Sequence, residues 1–306
     1  MTDKIGRVLT AMVTPFDENE EVDYGQAKRL ALALLDSGSD GVVITGTTGE
    51  SPALDWEESL NLYREVKLAV GDRGVVIAGT GSNNRREAVR ATREVEKTGV
   101  DGVLLVVPYY NKPTQEGLYR HFEGIADSTS LPCILYNVPS RTVTNMTAET
   151  TIRLSQVPNI IGIKEASGNM RQVAEIISKA GDEFPLWSGN DGDTFHIVAL
   201  GGYGVVSVAS HLVGIQIKKM IDLIVAEKIR QASKIHLDLL PLIDALFLVS
   251  NPIPVKYTLN LLGFPVGKPR LPLTDPEDEP NQNIAAQIRN VVGQYRIDLP
   301  IPKGGD

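Results

Sequence analysis

The chain has 306 residues, 42% of them hydrophobic, and a formal net charge of −8. That acidic balance, with no concentrated run of lysine and arginine, argues against nucleic acid as a partner, because phosphate binding needs a basic patch. No uninterrupted apolar stretch approaches the ~18 residues of a membrane-spanning helix, and a single α/β barrel can accommodate a chain of this length.

The N-terminal stretch MTDKIGRVLTAMVTPF has no extended apolar run and no cleavage-like site, so a cytoplasmic protein is expected. Its apolar part, 8–13 (VLTAMV), predicts a first strand. Residues 24–36 then place Ala27, Leu30, Ala31 and Leu34 on one helical stripe. After a strand at 41–45 (GVVIT), a second helix over 55–69 carries Trp56, Leu60, Tyr63 and Val66 on its apolar face. Asp55 followed by Glu58 forms a capping box at its start. Further strands are predicted at 74–78, 102–107, 132–136, 159–164, 185–188 and 203–208. Arg85-Arg86, followed by Glu87, reads as a solvated helix face. Cys133 lies in an apolar run with no histidine close in sequence, so it reads as a buried small hydrophobe. As the sole cysteine it allows no internal disulfide and suits a reducing compartment.

Beyond about residue 226 the strands stop, and 228–249, 252–262 and 283–296 read as helices. Residues 1–226 are therefore expected to form the catalytic barrel and 227–306 a helical C-terminal extension packed on it. Eight nearly all-apolar strands alternating with helices predict parallel pairing covered on both faces. The first strand is followed by TPFDENEEVD, not by a Gly-rich dinucleotide turn, so a (β/α)8 TIM barrel is the expected fold.

In such barrels the chemistry sits on the loops that follow the strands. Those loops carry Gly46-Thr47-Thr48-Gly49-Glu50-Ser51, Gly79-Thr80-Gly81-Ser82-Asn83, Pro108-Tyr109-Tyr110-Asn111, Tyr136-Asn137-Val138-Pro139-Ser140-Arg141, Lys164-Glu165-Ala166-Ser167-Gly168 and Ser188-Gly189-Asn190-Asp191. The GTTGES loop offers hydroxyls and close backbone approach to a carboxylate or phosphate, but lacks the Gly-Lys-Ser/Thr ending of a P-loop. Lys164 ends the apolar strand Ile160-Ile161-Gly162-Ile163. It must either snorkel to water, pairing with Glu165 at the surface, or sit desolvated in a pocket. Around one barrel mouth, an amine, phenols, hydroxyls and a cation suit amine catalysis on a keto acid. A neutral lysine attacks the ketone to form a Schiff base, whose protonated imine acts as an electron sink. The histidines His121, His196, His211 and His236 show no metal-ligand spacing, so neither a metal nor any other cofactor is expected.

GTTGES, GTGSN, PYYNKPTQEGLYRHF, YNVPSRT, IKEASGN, SGND and GVVSV occur in this order. Together they resemble the dihydrodipicolinate synthase/N-acetylneuraminate lyase family along the whole barrel. The resemblance implies that Lys164 forms a Schiff base with pyruvate and that Tyr136 is the central proton-transfer phenol. Tyr136 would be linked through Thr48 to Tyr110, which crosses in from a neighbouring subunit. Thr47 and Thr48 would hold the pyruvate carboxylate, with Gly189 and Val206 also at the substrate site. Arg141 stands where the synthases bind L-aspartate-4-semialdehyde, a small carboxylate suited to a bidentate guanidinium. The implied reaction is condensation of that semialdehyde with pyruvate on the lysine-forming diaminopimelate route. An aldolase or dehydratase of 2-keto-3-deoxy sugar acids, a sialic acid lyase and a non-catalytic homologue remain as alternatives. The resemblance also implies a homotetramer built as a dimer of dimers, and feedback inhibition by L-lysine at Ser51, Trp56, Ser59, Asn83, Glu87 and Tyr109. Trp56 has a second reading, as a core residue of its helix face.

Overall fold

The computed structural model describes residues 5–278 and 283–300. Met1–Lys4 of the N-terminal stretch, 279–282 of the proline-rich segment and the last six residues of the C-terminal extension lie outside them. Eight strands, β1 (Val8–Ala11), β2 (Gly41–Ile44), β3 (Val75–Gly79), β4 (Gly102–Val106), β5 (Cys133–Asn137), β6 (Ile160–Glu165), β7 (Leu186–Ser188) and β8 (Gly204–Ser207), pair in parallel. They close into a barrel in sequence order, β8 returning to β1. The TIM barrel expected from the alternation of apolar runs is the observed fold.

Helices alternate with the strands: α1 (Tyr24–Asp36), α2 (Trp56–Val70), α3 (Arg85–Val95), α4 (Gln115–Ala126), the short α5 (Pro139–Thr142), α6 (Ala148–Leu154), α7 (Met170–Lys179), α8 (Thr194–Ala199) and α9 (Ser210–Val225). The expected limits of α1 are those observed, and the capping box of α2 is complete. Asp55 accepts from the Glu58 amide at 2.8 Å, and the Glu58 carboxylate accepts from the Asp55 amide at 2.9 Å. Such a cap contributes about 1 kcal/mol to helix stability.

The apolar residues divide into two clusters. One lies between the strands and the helical sheath, and includes Val42, Ile44, Leu105, Leu135 and Ile163. The other fills the barrel interior, with Leu9, Val43, Ile77, Leu104, Ile134, Ile161, Trp187 and Val206 packed below Tyr136. The interior is therefore a filled core, and ligands must enter from the strand ends.

Three helices follow the barrel: α10 (Ile229–Ala245), α11 (Ile253–Leu261) and α12 (Asn283–Val292). α10 packs on α8 and α9, and α12 packs on α10 and α11. All three end before the limits expected from periodicity, 249, 262 and 296. Lys256 of α11 is fully buried and pairs with buried Glu50 at 2.8 Å, which ties the tail to the loop after β2.

Candidate active site

β5 and β6 carry the central pair of residues, and a register shift decides which way one of them points. Cys133 pairs with Ile160, but Ile134 pairs with Gly162, so Ile161 is an extra residue on β6. Strand residues alternate between faces, so an inserted residue reverses the alternation downstream. Lys164 consequently shares the face of its register partner Tyr136, toward the barrel interior, where uninterrupted alternation would have turned it outward. Gly162 permits the close approach, because a Cβ there would fall 2.5 Å from the Pro185 carbonyl oxygen and 2.7 Å from the Trp187 ring.

Lys164 is buried, with its Nζ 4.2 Å from the centroid of the Tyr136 ring. Among the described residues it makes no ion pair with a carboxylate. The surface pair with Glu165 is not formed, since the neighbouring residue faces the opposite side of the strand. There Glu165 is buried and accepts from the Ser167 amide at 2.7 Å, Asn137 at 3.1 Å and Gln172 at 3.1 Å. Burial pushes its carboxyl above the usual range, and these hydrogen bonds oppose the shift.

At the end of β7, Asp191 is buried beneath the loop after β8. It accepts from the Ser207 hydroxyl and from the amides of Val208 at 2.9 Å and Ala209 at 3.1 Å. Desolvation raises its carboxyl pKa, opposed first by the Ser207 hydrogen bond and also by the charge of Lys164. Gly189 lies against Lys164, and a Cβ there would stand 3.2 Å from Cε of the lysine. Val206 belongs to the buried interior core.

A cavity of about 500 Å³ opens beside Tyr136, and Lys164 is not among the residues that line it. Tyr136, Thr47, Val138, Arg141 and Thr142 line one part of it. Ser51, Trp56, Ser59, Glu87, Arg90 and Tyr109 line another. Thr47, Tyr136 and Arg141 of the expected substrate site and five of the six expected effector residues thus border one space, whereas Lys164, Thr48, Gly189 and Val206 are not on its wall. Asn83 is not on its wall but is held beside it, donating to the Tyr109 carbonyl at 3.1 Å. Ser82 donates to Glu87 at 3.2 Å, and the Trp56 indole N–H donates to Glu94 at 2.5 Å. Trp56 also packs on the core, so both readings of this residue describe part of its environment.

Two expected residues stand elsewhere. Tyr110 is 89% exposed, has a left-handed backbone with φ of 71°, and does not reach Tyr136 within its own chain. Thr48 is buried, and among the described residues no hydrogen bond joins it to Tyr136. Its hydroxyl accepts from Asn251 at 2.8 Å, and Thr47 is the threonine that lines the cavity with Tyr136.

Elsewhere, His196 and His236 meet with ring centroids 5.2 Å apart. No group of three or more metal-ligating side chains occurs among the described residues. Cys133 is buried, and desolvation pushes its thiol up to about 12. No helix among the described residues is long and apolar enough to cross a membrane.

Comparison with known proteins adds an independent line. Residues 4–291 match the dihydrodipicolinate synthetase family. A 4-hydroxy-tetrahydrodipicolinate synthase of Dehalococcoides mccartyi is 60% identical over 298 residues, 97% of this chain and 99% of that protein. A dihydrodipicolinate synthase from Bacillus anthracis superposes with a TM-score of 0.92 at 43% identity, covering 95% of this chain and 98% of its own. A lysine-bound enzyme from Cyanidioschyzon merolae superposes with a TM-score of 0.91 at 48% identity, covering 95% and 99%.

Proposed function

The chain belongs to the dihydrodipicolinate synthetase family, and on that premise we propose how its cavity performs the family reaction. The enzyme is a lyase that condenses pyruvate with L-aspartate-4-semialdehyde to 4-hydroxy-tetrahydrodipicolinate, in lysine biosynthesis by the diaminopimelate route.

In our reading Lys164 is the nucleophile. Its neutral amine adds to C2 of pyruvate, and loss of water gives a protonated imine. Removal of a C3 proton yields an enamine, whose C3 attacks the semialdehyde's aldehyde carbon. The semialdehyde amine then attacks the imine carbon, closing the ring and releasing Lys164. Tyr136, packed against the amine, is placed to move protons at C2 and at the new alkoxide. Thr47, which lines the cavity with Tyr136, is our candidate relay hydroxyl. Thr48 and the nearby backbone amides hold the pyruvate carboxylate, Gly189 leaves room for the lysine stem, and the Val206 carbonyl borders the site. Arg141 clamps the semialdehyde carboxylate. No cofactor enters this scheme.

We further propose that Tyr110 completes the relay of a neighbouring subunit, which gives its exposed ring a task, and that the assembly is a homotetramer made of two dimers. The effector is L-lysine, bound between subunits by Glu87, Ser51, Ser59, Asn83, Tyr109 and Trp56. Ligation of lysine by the Cyanidioschyzon merolae relative supports that assignment. An unpaired thiol suits a cytoplasmic location.

The observation that carries the mechanism is the buried Lys164 amine over Tyr136, without a carboxylate partner. Borohydride added with pyruvate should inactivate the enzyme and leave one reduced adduct on the peptide containing Lys164. Arg141→Ala should still form that adduct while losing use of the semialdehyde. An adduct on another lysine would remove Lys164 from the scheme. A variant that no longer forms the imine would remove Arg141 from its assigned role.

A further inference from the structure

The C-terminal extension reaches the active-site loops through Asn251, in the turn between α10 and α11. Its side-chain Nδ2 donates to the Thr48 hydroxyl at 2.8 Å, across 203 residues of sequence. Its backbone carbonyl accepts from Nη2 of Arg141 at 3.2 Å, across 110 residues. Asn251 is buried, and its Oδ1 has no hydrogen-bond partner among the described residues. Five residues on, Lys256 holds Glu50, the Thr14 carbonyl and the Lys268 carbonyl, so the same segment grips the loop after β2 twice.

From this bridge we infer that Asn251 is a positioning residue, aligning Thr48 for pyruvate and Arg141 for the semialdehyde. The inference rests on the roles given to Thr48 and Arg141 above. A threonine hydroxyl has one proton to give and lone pairs to receive. Because Asn251 donates to it, the lone pair is occupied and the proton stays free for a ligand carboxylate. The opposite amide orientation would take that proton and leave the hydroxyl no donor for substrate. Arg141 is an exposed side chain on the short helix α5, and the Asn251 carbonyl is its hydrogen-bond anchor from the tail. One residue thus holds both carboxylate-binding groups in a fixed relation, and small misplacements of such groups are costly to rate.

The test is a double-mutant cycle among wild type, Asn251→Ala, Thr48→Val and the pair, with Asn251→Asp as a second variant. Each is followed by its rate of borohydride-trapped pyruvate imine, its semialdehyde KM and its melting temperature. Asn251→Ala should trap pyruvate about tenfold more slowly and raise the semialdehyde KM severalfold, with a melting midpoint close to wild type. In the Thr48→Val background the same change should add almost nothing to the trapping defect, because the asparagine acts through that hydroxyl. Asn251→Asp, which accepts the threonine proton, should trap pyruvate more slowly than Asn251→Ala. If wild type forms no adduct on Lys164, the proposed function fails. If wild type forms it but the two substitutions are additive, or Asn251→Ala and Asn251→Asp both leave trapping and KM within about twofold, the positioning role alone is overturned.

Discussion

Lys164 and Tyr136 are register partners on adjacent strands, with the lysine amine 4.2 Å from the centre of the phenol ring. The pairing places an amine and a phenol, the nucleophile and proton carrier of our reading, in one plane of the barrel without requiring a mobile loop to bring them together. Rigid strand ends hold such geometry better than loops do.

Gly189 tests how tightly that plane is packed. A Cβ at this position would come within 2.7 Å of the Ala166 Cβ and 3.2 Å of Lys164 Cε. Gly189→Ala should therefore displace the lysine stem and slow imine formation at least about tenfold, since a displacement near 1 Å can cost far more. Mass-spectrometric timing of the borohydride adduct measures this directly. Trapping within about twofold of wild type would show that the lysine has room to spare.

Much of the barrel was legible because its strands are short apolar runs separated by amphipathic helices, and because Asp55 and Glu58 mark a helix start. The direction of Lys164 was not, because it depends on the extra residue at Ile161, and a register shift leaves no compositional trace. Asn251 leaves no local sign for a related reason. Its partners lie 110 and 203 residues away, and only folding brings them together. Lys256, a lone charge in the apolar run IPVKYTL, was the one local sign that the tail reaches a buried acid. Thr47 and Thr48 are adjacent hydroxyls whose orientation a sequence does not carry.

If Tyr110 serves a neighbouring subunit, Tyr110→Phe and Lys164→Ala should complement each other. Each homogeneous variant should lose most of its kcat, the lysine variant by several orders of magnitude because a covalent nucleophile is absent. Mixed oligomers should regain activity, since some sites then combine an intact lysine with an intact phenol. Mixing that restores nothing, under conditions where subunit exchange is verified, would place Tyr110 outside the relay.

His211 sets an acid limit to stability. Its Nδ1–H donates to the Val208 carbonyl at 2.8 Å, and Nε2 accepts from the Val13 amide at 3.2 Å, so the folded ring must be neutral. Desolvation lowers its pKa to about 4. The unfolded chain takes up that proton near 6.5, so between the two values it binds more protons than the folded state. Stability therefore falls as pH drops from about 6.5 toward 4, by roughly 3 kcal/mol for this group. His211→Phe should be less stable at pH 7.5 but show a shallower loss on acidification, measured by denaturant midpoints at both ends. An unchanged pH slope would assign the acid limit to other groups.

Glu87 and Trp56 border the same cavity as Tyr136, so the lysine inhibition we propose would have a short path to the chemistry. In our reading Glu87 pairs with an ammonium of the effector, Asn83 and Tyr109 bind its carboxylate, and Trp56 covers its stem or its cation. The indole is already oriented by its hydrogen bond to Glu94, so the face that meets ligand is set in advance. A lysine titration of wild type at fixed pyruvate should show inhibition, cooperative if paired sites across an interface both fill. Glu87→Ala should shift the midpoint by at least about tenfold, because it removes a charge-assisted contact. Trp56→Ala should weaken inhibition less, and Glu94→Ala less again, since the latter frees the indole without removing it. Unchanged sensitivity in Glu87→Ala would refute the effector assignment, and a flat wild-type curve would leave this part of the cavity to the substrates alone.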